Sequence, residues 1–318
     1  MNNPFFLNGA CSPGARMLLG MAFGDAYGAP FENLSYIKAG EKLASDGLVC
    51  GTYTDDTQQA LAVAELLASG KSCSPETMAD FFLTAYKRDK RFGYSEMTQK
   101  MLASDSPKLF LESISTVEKL NRKTDGAAMR ALPIGFLPER DGVICCAGLS
   151  ASITHGHPDA IAATIGIALI AHHRLYHHTP FSEIWSAVRE DIRKIHPDII
   201  RYCDTCALLK SPEREILLES YAEYGVPYTE SRIFLGSVLF LLIQYGDDPM
   251  RLLIESILLG GDTDTVAAVV LGAALITGGE GSEIWNLVSA LEDGPFGKKY
   301  LIYIGDQLSM RYPAPSEL

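Results

Sequence analysis

The sequence predicts an all-α fold in one large domain that spans residues 1–318. Apolar residues recur at helical spacing through most of the chain, and the alternation typical of β-strands is hard to find. No Pro/Ser-rich linker, low-complexity tract or internal repeat divides the pattern. The length would allow two domains, but without a linker we expect about a dozen helices packed at varied angles around one core.

The first clear amphipathic helix lies in TDDTQQALAVAELLASG, where apolar residues fall at i, i+1, i+4, i+7 and i+8 from Ala60. Gly70 stands where a glycine commonly ends a helix. In the next segment, SPETMADFFLTAYKR, the predicted cap is Ser72 or Ser74, and Pro75 occupies the first turn. Further amphipathic helices are predicted in FSEIWSAVREDIRKI, TESRIFLGSVLFLLIQY and DPMRLLIESILL.

Two other segments, DAIAATIGIALIAHH and TVAAVVLGAALITGG, are apolar nearly all round. A helix without a polar face is typical of burial on every side, so both segments are expected at the centre of the fold. Neither is long enough to span a bilayer, and no membrane segment is predicted. The N-terminal stretch MNNPFFLNGACSPGARMLLG lacks the basic and apolar regions of a signal peptide.

Composition excludes some functions. The net charge of -12 argues against a nucleic-acid partner, because affinity for the phosphate backbone depends largely on Lys and Arg. Seven cysteines, an odd number, are typical of reduced thiols rather than a disulfide framework, which favours the cytoplasm.

Three acidic groups stand at Gly-rich turns before predicted helices: GMAFGDAYGAPFEN with Asp25 and Glu32, GTYTDDTQQA with Thr54, Asp55 and Asp56, and GGDTDTVAA with Asp262, Asp264 and Thr265. Each residue taken alone is an ordinary helix cap or a first-turn acid that complements the helix dipole. The last two groups, however, each carry two acids and a Thr hydroxyl, which is more than one helix end needs.

Crowded aspartates repel one another unless a cation or a proton compensates them. Their hard oxygen ligands suit Mg²⁺, Mn²⁺ or Ca²⁺, and neither motif contains a His or Cys that would favour zinc. An EF-hand is excluded because Ala267 and Ala273 stand where that loop needs Gly and Glu. If the two turns face each other, they can enclose two divalent ions about 3.5 to 4 Å apart. We expect Gly260 and Gly261 to allow the close backbone approach that this requires.

Five motifs stand in order over nearly the whole chain: GDAYGAPFE, YTDDTQQALAVAELL, DGAAMRALPIG, SITHGHPDAIAA and GGDTDTVAAVVLGAA. Together they resemble the ADP-ribosylglycohydrolase family, which includes the dinitrogenase reductase activating glycohydrolase and the ADP-ribosyl-acceptor hydrolases. The resemblance implies a single orthogonal helical bundle and a dinuclear centre of two Mg²⁺ (or Mn²⁺) ions that holds the ribose diol of ADP-ribose.

The resemblance also implies roles for individual residues. The predicted metal ligands are Thr54, Asp55, Asp56, Asp262, Asp264 and Thr265. Glu32, Asp55 and Asp264 are the predicted catalytic residues. DGAAMR, with Asp125, Gly126, Ala127 and Met129, is expected along the diphosphate, and His155 and His157 beside the distal ribose. Family members often have Gly-Asn-Gly before AAMR, whereas this chain has Thr124, Asp125 and Gly126; an anionic Asp125 would have to turn away from a diphosphate.

We therefore hypothesise hydrolysis of the glycosidic bond that joins ADP-ribose to an acceptor. The ions would polarise a water, and Glu32 or an aspartate would transfer the proton. The expected partner is an ADP-ribosylated protein or a small-molecule ADP-ribose conjugate; an adduct on nucleic acid is disfavoured by charge. The alternative is a member of the same fold that binds ADP-ribose or neutralises a toxin without turnover, as crystallin-like members would.

Other features of the sequence receive no functional role. The CDTC pair Cys203 and Cys206 lacks a second pair for zinc and a preceding strand for a redox motif. Cys145 and Cys146 are interpreted as small buried side chains. His173 and His177 lack the Glu of H-E-x-x-H. Tyr221, Tyr224 and Tyr228 could stack on adenine by composition alone, but they are interpreted as core or surface aromatics.

Overall fold

The computed structural model describes residues 11–277 and 283–315. Most of the N-terminal stretch for which no signal peptide is predicted, residues 1–10, lies outside that part, as do the last two residues of TVAAVVLGAALITGG. Within the described residues the regular structure is helical, and the only β-type pairing is two isolated bridges that join Gly261 to Leu34 and to Val226. The predicted all-α fold is confirmed.

Seventeen α-helices form in the described part of the chain. They are α1 (Pro13–Gly28), α2 (Tyr36–Asp46), α3 (Asp55–Ser69), α4 (Pro75–Arg88), α5 (Glu96–Leu102), α6 (Pro107–Glu112), α7 (Thr116–Asn121), α8 (Arg140–Ser152), α9 (Pro158–His177), α10 (Ile184–Ile195), α11 (Ile200–Leu208), α12 (Arg214–Leu217), α13 (Ser231–Tyr245), α14 (Pro249–Leu259), α15 (Thr263–Leu275), α16 (Ile284–Leu287) and α17 (Lys298–Arg311). Short 3₁₀ helices cover Ala29–Phe31, Asp125–Ala127, Leu132–Phe136, Phe181–Glu183, Pro197–Ile199, Glu219–Tyr221 and Val288–Ala290.

The predicted helix ends agree with the structure where the signal is local. Gly70 adopts the left-handed conformation at the C-cap of α3. Of the two candidate serines, Ser74 caps α4: its side chain accepts a hydrogen bond from the N–H of Thr77, and Pro75 is the first helical residue.

The helices predicted to be central are central. All thirteen residues of α15 are buried, and so is most of α9. Helix α1 is buried over nearly its full length and packs against α15 and α17. The start of α15 is tied to the end of α1 by a hydrogen bond from the Thr263 hydroxyl to the carbonyl oxygen of Gly28, at 2.9 Å. Because these two helices carry acidic motifs, their packing fixes where the acidic side chains lie.

Several helices of the structure are short and were not predicted from the sequence. Helices α5, α6 and α7 contain only six or seven residues each and follow one another between residues 96 and 121. Each begins at a serine whose side chain accepts a hydrogen bond from the third helical N–H. A helix of two turns shows too little periodicity for recognition from sequence, which is why about a dozen helices were expected instead of seventeen.

The cysteines require one correction. Cys146 is buried as predicted, but Cys145 is exposed, because adjacent residues of α8 point in directions about 100° apart. Cys203 and Cys206 are both buried on α11, and burial raises the pKa of the Cys206 thiol to about 11. Among the helices of the described part, none has the length and apolar character needed to cross a membrane.

Candidate active site

The first acidic turn lies where α3 begins. Thr54 is the N-cap residue, yet its hydroxyl makes no cap hydrogen bond and instead donates to Oδ2 of Asp56, 3.2 Å away. Asp55 and Asp56 follow in the first helical turn, and both are buried. Ordinary helix capping therefore does not account for the Thr54 hydroxyl.

Asp25, near the end of α1, supplies the cap that Thr54 does not. Its two carboxylate oxygens accept hydrogen bonds from the backbone N–H of Thr54 at 2.8 and 2.9 Å. Its Oδ2 also accepts from the N–H and the hydroxyl of Thr57, at 3.1 and 2.7 Å. These N–H groups belong to the first turn of α3, which has no intrahelical partners for them. Asp25 therefore anchors the first acidic turn against α1.

The second acidic turn lies where α15 begins. Gly260 and Gly261 both have positive φ angles, of 72° and 76°. A Cβ added at Gly261 would lie 2.2 Å from the carbonyl oxygen of Val226, so the backbone of this turn packs closely against Val226. Hydrogen bonds from the N–H groups of Gly261 and Asp262 to the carbonyl oxygens of Leu34 and Val226 hold the turn on both sides. Asp262 is the N-cap residue, and its side chain makes no cap hydrogen bond there.

The two turns meet in the interior. Carboxylate oxygens of Asp25, Asp56 and Asp264 all lie within 4.8 Å of one another. Burial, followed by the charge of Asp125, raises the pKa of Asp262 well above its usual range, so the carboxyl group of Asp125 belongs to the acidic cluster. Asp25 belongs to the acidic group GMAFGDAYGAPFEN but is not among the predicted metal ligands. Only the fold brings it beside Asp56.

Several oxygens of this cluster have no partner in the part of the chain that the structure describes. Oδ1 of Asp56, Oδ2 of Asp125 and Oδ2 of Asp262 are buried and accept no hydrogen bond from the described residues. A buried polar oxygen without a partner is costly, and a divalent cation satisfies it. Because the donors are carboxylate and hydroxyl oxygens, the site fits a hard cation such as Mg²⁺ or Mn²⁺.

The electrostatics of the site also favour a compensating charge. Burial raises the pKa of Asp25 to about 6, although the hydrogen bonds from Thr57 and Thr54 oppose the shift. Burial, followed by the charges of neighbouring carboxylates, raises the pKa values of Asp55, Asp56 and Asp264 well above the usual range. These groups cannot all be ionised together unless a cation lies between them.

In the presence of a chelator, the stability of the protein is expected to fall as the pH rises. The folded-state pKa is about 6 for Asp25 and, because of burial, about 8 for Asp125, so the folded protein binds protons more tightly than the unfolded chain. This contribution is complete below about pH 4, where the unfolded carboxyl groups titrate, and is lost as the pH rises through the folded pKa values. Tm measured with chelator should therefore decrease between about pH 5 and pH 8.

Saturating Mg²⁺ supplies the control for this prediction. A cation that neutralises the ionised carboxylates should raise Tm more at about pH 8 than at about pH 5, where protons already compete with it. An equal Mg²⁺ effect at both pH values would contradict the proposed coupling between the cluster and a cation.

The acidic turns line a cavity of about 760 Å³. The predicted site residues among its lining are Glu32, Asp55, Asp56, Asp125, Gly126, Met129, His155, Asp262, Asp264 and Thr265. Glu32 is exposed to solvent, and its Oε1 accepts a hydrogen bond from the side-chain amide of Asn33 at 3.1 Å. Partial desolvation raises the pKa of the Glu32 carboxyl despite this bond.

Within the described residues, three predicted site residues do not line the cavity. Thr54 is buried next to Asp56, and Ala127 is fully buried beneath its loop. His157 is half-buried at the N-cap of α9, where its Nδ1 accepts a hydrogen bond from the N–H of Asp159 at 3.2 Å. Any direct ligand contact by Ala127 or His157 stays a prediction.

The loop DGAAMR forms one wall of the cavity and is held by Arg130. This guanidinium is 1% exposed and donates to Oε1 of Gln59 at 2.6 Å and to the carbonyl oxygen of Gly126 at 3.2 Å. On the other side it donates to the carbonyl oxygen of Ser150 and the hydroxyl of Thr154. Gln59 lies one turn beyond Asp56 on α3, so Arg130 connects the loop to the first acidic turn.

His155 lies next to this loop as a neutral imidazole. Its Nε2 and Nδ1 are hydrogen-bonded to the hydroxyls of Thr124 and Thr154, at 2.7 and 2.8 Å. Burial, followed by the charges of Arg122 and Arg130, lowers the pKa of His155 well below its ordinary value. Of the three candidate tyrosines only Tyr228 lies among the described lining residues; its ring is exposed, and its carbonyl oxygen accepts from the N–H of Asp125.

The fold and the site define an all-α protein with a buried carboxylate cluster in the wall of a cavity of about 760 Å³. A family model described as ADP-ribosylglycohydrolase matches residues 14–281. The chain belongs to the ADP-ribosylglycohydrolase family, as its five ordered motifs indicated.

Individual relatives agree with this assignment. The chain is similar to ADP-ribosylhydrolase ARH3 of Xenopus tropicalis, with 26% identity over 81% of this chain and 84% of the relative. An uncharacterized protein of Archaeoglobus fulgidus is 27% identical over 79% of this chain and 83% of its own length. A solved structure of an ADP-ribosylglycohydrolase-related protein complex shares the fold, with a TM-score of 0.68 and 23% identity over 95% of this chain and 98% of that chain.

Proposed function

We propose that this protein is a metal-dependent hydrolase that removes ADP-ribose from a modified acceptor, with a protein side chain as the acceptor. The observation that carries the proposal is the convergence of two distant acidic turns on one cavity, where buried carboxylate oxygens accept no hydrogen bond from the described residues. A purely structural or non-catalytic member of the family would place no demand on such a complete set of ligands. Family membership supports a glycohydrolase in general terms.

Two Mg²⁺ (or Mn²⁺) ions would be held by Thr54, Asp55, Asp56, Asp262, Asp264 and Thr265, with Asp25 fixing the first turn. When bound, such ions orient the ribose hydroxyls and activate a water. The carboxylates of the protein then stabilise the positive charge that develops on the sugar ring as the acceptor departs. The cluster is buried within the core, so this stabilisation acts with little screening by solvent.

Glu32 is the proposed proton carrier. It lines the cavity next to the second acidic turn, because the backbone N–H of Asn33 donates to the carbonyl oxygen of Gly261 at 2.8 Å. Its raised pKa brings the carboxyl closer to the range in which a group can both accept and return a proton near neutral pH. These features support a role in which Glu32 takes a proton from the attacking water, while the acidic turns hold the sugar.

For the rest of the ligand we propose direct contacts from Gly126, Met129 and His155, which line the cavity. Ala127 packs beneath that loop, and His157 fixes the start of the helix that follows His155. The exposed ring of Tyr228 at the same cavity is the proposed stacking surface for adenine.

Glu32→Gln should slow the release of ADP-ribose by about 10²- to 10⁴-fold while leaving the affinity for free ADP-ribose nearly unchanged, because only the proton transfer is removed. Single-turnover rates and calorimetric binding of ADP-ribose measure the two effects separately. Glu41→Gln, which removes an exposed carboxylate from α2, is the matched control and should behave as wild type. Weakened binding with a normal rate per bound substrate would count against this role.

A panel of substrates tests the function itself. ADP-ribose should be released from at least one of Arg-linked, Ser-linked and nucleotide-linked conjugates, and a chelator should stop the release. Tight binding of ADP-ribose without turnover on any conjugate would favour the alternative, a non-catalytic or toxin-neutralising member of the family. Turnover that persists in chelator would overturn the metal-dependent mechanism.

A further inference from the structure

Arg122 lies just after α7 and lines the cavity from the outer wall that α5 and α7 form. Its side chain is half-buried and donates to the hydroxyl of Thr98 at 3.1 Å and to the sulfur of Met101 at 3.6 Å. In the described part of the chain no carboxylate forms an ion pair with it. Because a guanidinium has five N–H donors, Arg122 retains donors that these two contacts do not use.

The acidic residues on the same wall are engaged elsewhere. Glu118 accepts hydrogen bonds from the N–H and the hydroxyl of Ser115 in a capping box, at 2.8 and 2.7 Å. Glu96 is paired with Lys100 at 2.9 Å. Burial lowers the pKa of Arg122, which reflects the cost of holding this charge partly away from water without an anion.

Arg130, the other guanidinium in the described lining, cannot serve an anionic ligand in the same way. Its Nε donates to the hydroxyl of Ser150 at 3.3 Å, and its two terminal nitrogens donate to four neutral oxygens, those of Gln59, Gly126, Ser150 and Thr154. All five of its donors are thereby in use. Among the described residues that line the cavity, Arg122 is therefore the cation whose N–H donors are not all used.

We propose that Arg122 binds the diphosphate of the ADP-ribosyl group, which places the anionic part of the substrate beside the part of the cavity lining that α5 and α7 supply. This inference rests on the proposed function. A diphosphate that enters a cavity lined by so many carboxylates is repelled unless a cation receives it, and a guanidinium matches phosphate oxygens with paired N–H donors. The charge of Arg122 already acts on His155, so the contact lies on the side of the cavity where Gly126 and His155 meet.

The test is calorimetric binding of free ADP-ribose at saturating Mg²⁺ to the full-length wild type and three variants. Arg122→Gln should raise the Kd about 10- to 100-fold, because a charge-assisted contact to phosphate is lost. Arg122→Lys keeps the positive charge but not the paired N–H donors, so its Kd should lie between those of wild type and Arg122→Gln. Lys119→Gln removes a half-buried cation one turn earlier, outside the described cavity lining, and should change the Kd by no more than about twofold.

Turnover gives a second measurement. Arg122→Gln should raise the KM of the best conjugate in parallel with the Kd and leave kcat within about threefold, since the diphosphate does not take part in bond cleavage. An unchanged Kd in Arg122→Gln, or an equal loss in Lys119→Gln, would overturn the assignment to Arg122 alone. Failure of the wild type to bind ADP-ribose would instead overturn the proposed function.

Discussion

Asp264→Ala is expected to abolish hydrolysis and, with it, the rise in Tm that Mg²⁺ or Mn²⁺ produces. Asp264 is 3% exposed, and its carboxylate lies within 4.8 Å of those of Asp25 and Asp56, so its loss opens one side of the proposed ion cage. Losing a ligand removes the charge stabilisation that the ions supply, and we expect activity to fall by at least about 10³-fold. The helical content should stay near that of wild type, because alanine favours a helix and one repelling charge disappears.

The matched control is Asp141→Ala, which removes an aspartate from the first turn of α8 whose side chain is 95% exposed. This variant should keep full activity and the full response to Mg²⁺. If Asp264→Ala retained turnover, or if both variants lost the Mg²⁺ response together, the acidic cluster would not be the metal site.

Gly93→Ala should have the second-largest effect, although Gly93 carries no functional group. Its φ of +100° is strained for alanine, and an added Cβ would lie only 1.8 Å from Oδ1 of Asp55. The loop cannot simply withdraw, because the N–H of Asp55 donates to the carbonyl oxygen of the preceding residue, Phe92, at 3.0 Å. We expect a loss of about 1–3 kcal/mol in the free energy of unfolding and about 10²-fold in activity as Asp55 moves.

Gly47→Ala is a control that distinguishes the steric clash with Asp55 from the effect of backbone strain alone. Gly47 also has a positive φ, of 70°, but an added Cβ there would meet no atom within 4 Å. This control should cost about 1–2 kcal/mol in stability and leave activity and Mg²⁺ response intact. Equal activity losses in the two variants, measured as kcat/KM on the same conjugate, would show that loss of stability alone explains the effect.

The parts of the site that lie within one motif were visible in the sequence. Each acidic turn supplies two carboxylates and a threonine within four residues, so their spacing alone indicated a ligand set. The same holds for Gly70 and Ser74, because helix caps depend on neighbours a few residues away. Family membership followed from the order of five such motifs and is confirmed by the match over residues 14–281.

Roles that depend on contacts between residues far apart in the sequence could not be predicted from the sequence. Arg130 belongs to the predicted loop, but its bond to Gln59 joins segments 71 residues apart. Gly93 resembles any loop glycine until Asp55 is placed against it, and Arg122 resembles any surface cation until its lack of a carboxylate partner in the described structure is seen. The exposure of Cys145 depends in the same way on which face of α8 meets the core.

The sequence by itself determined the helical class, the family and the chemical type of the ligands, because periodicity and motif composition act over a few residues. Only the tertiary structure decided that Asp25, from α1, shares a site with α3 and α15, and that Thr54, Ala127 and His157 do not line the described cavity wall. The physical reason is that a helix fixes the direction of its side chains only relative to its own axis. The packing of one buried helix against another then fixes which of those side chains meet.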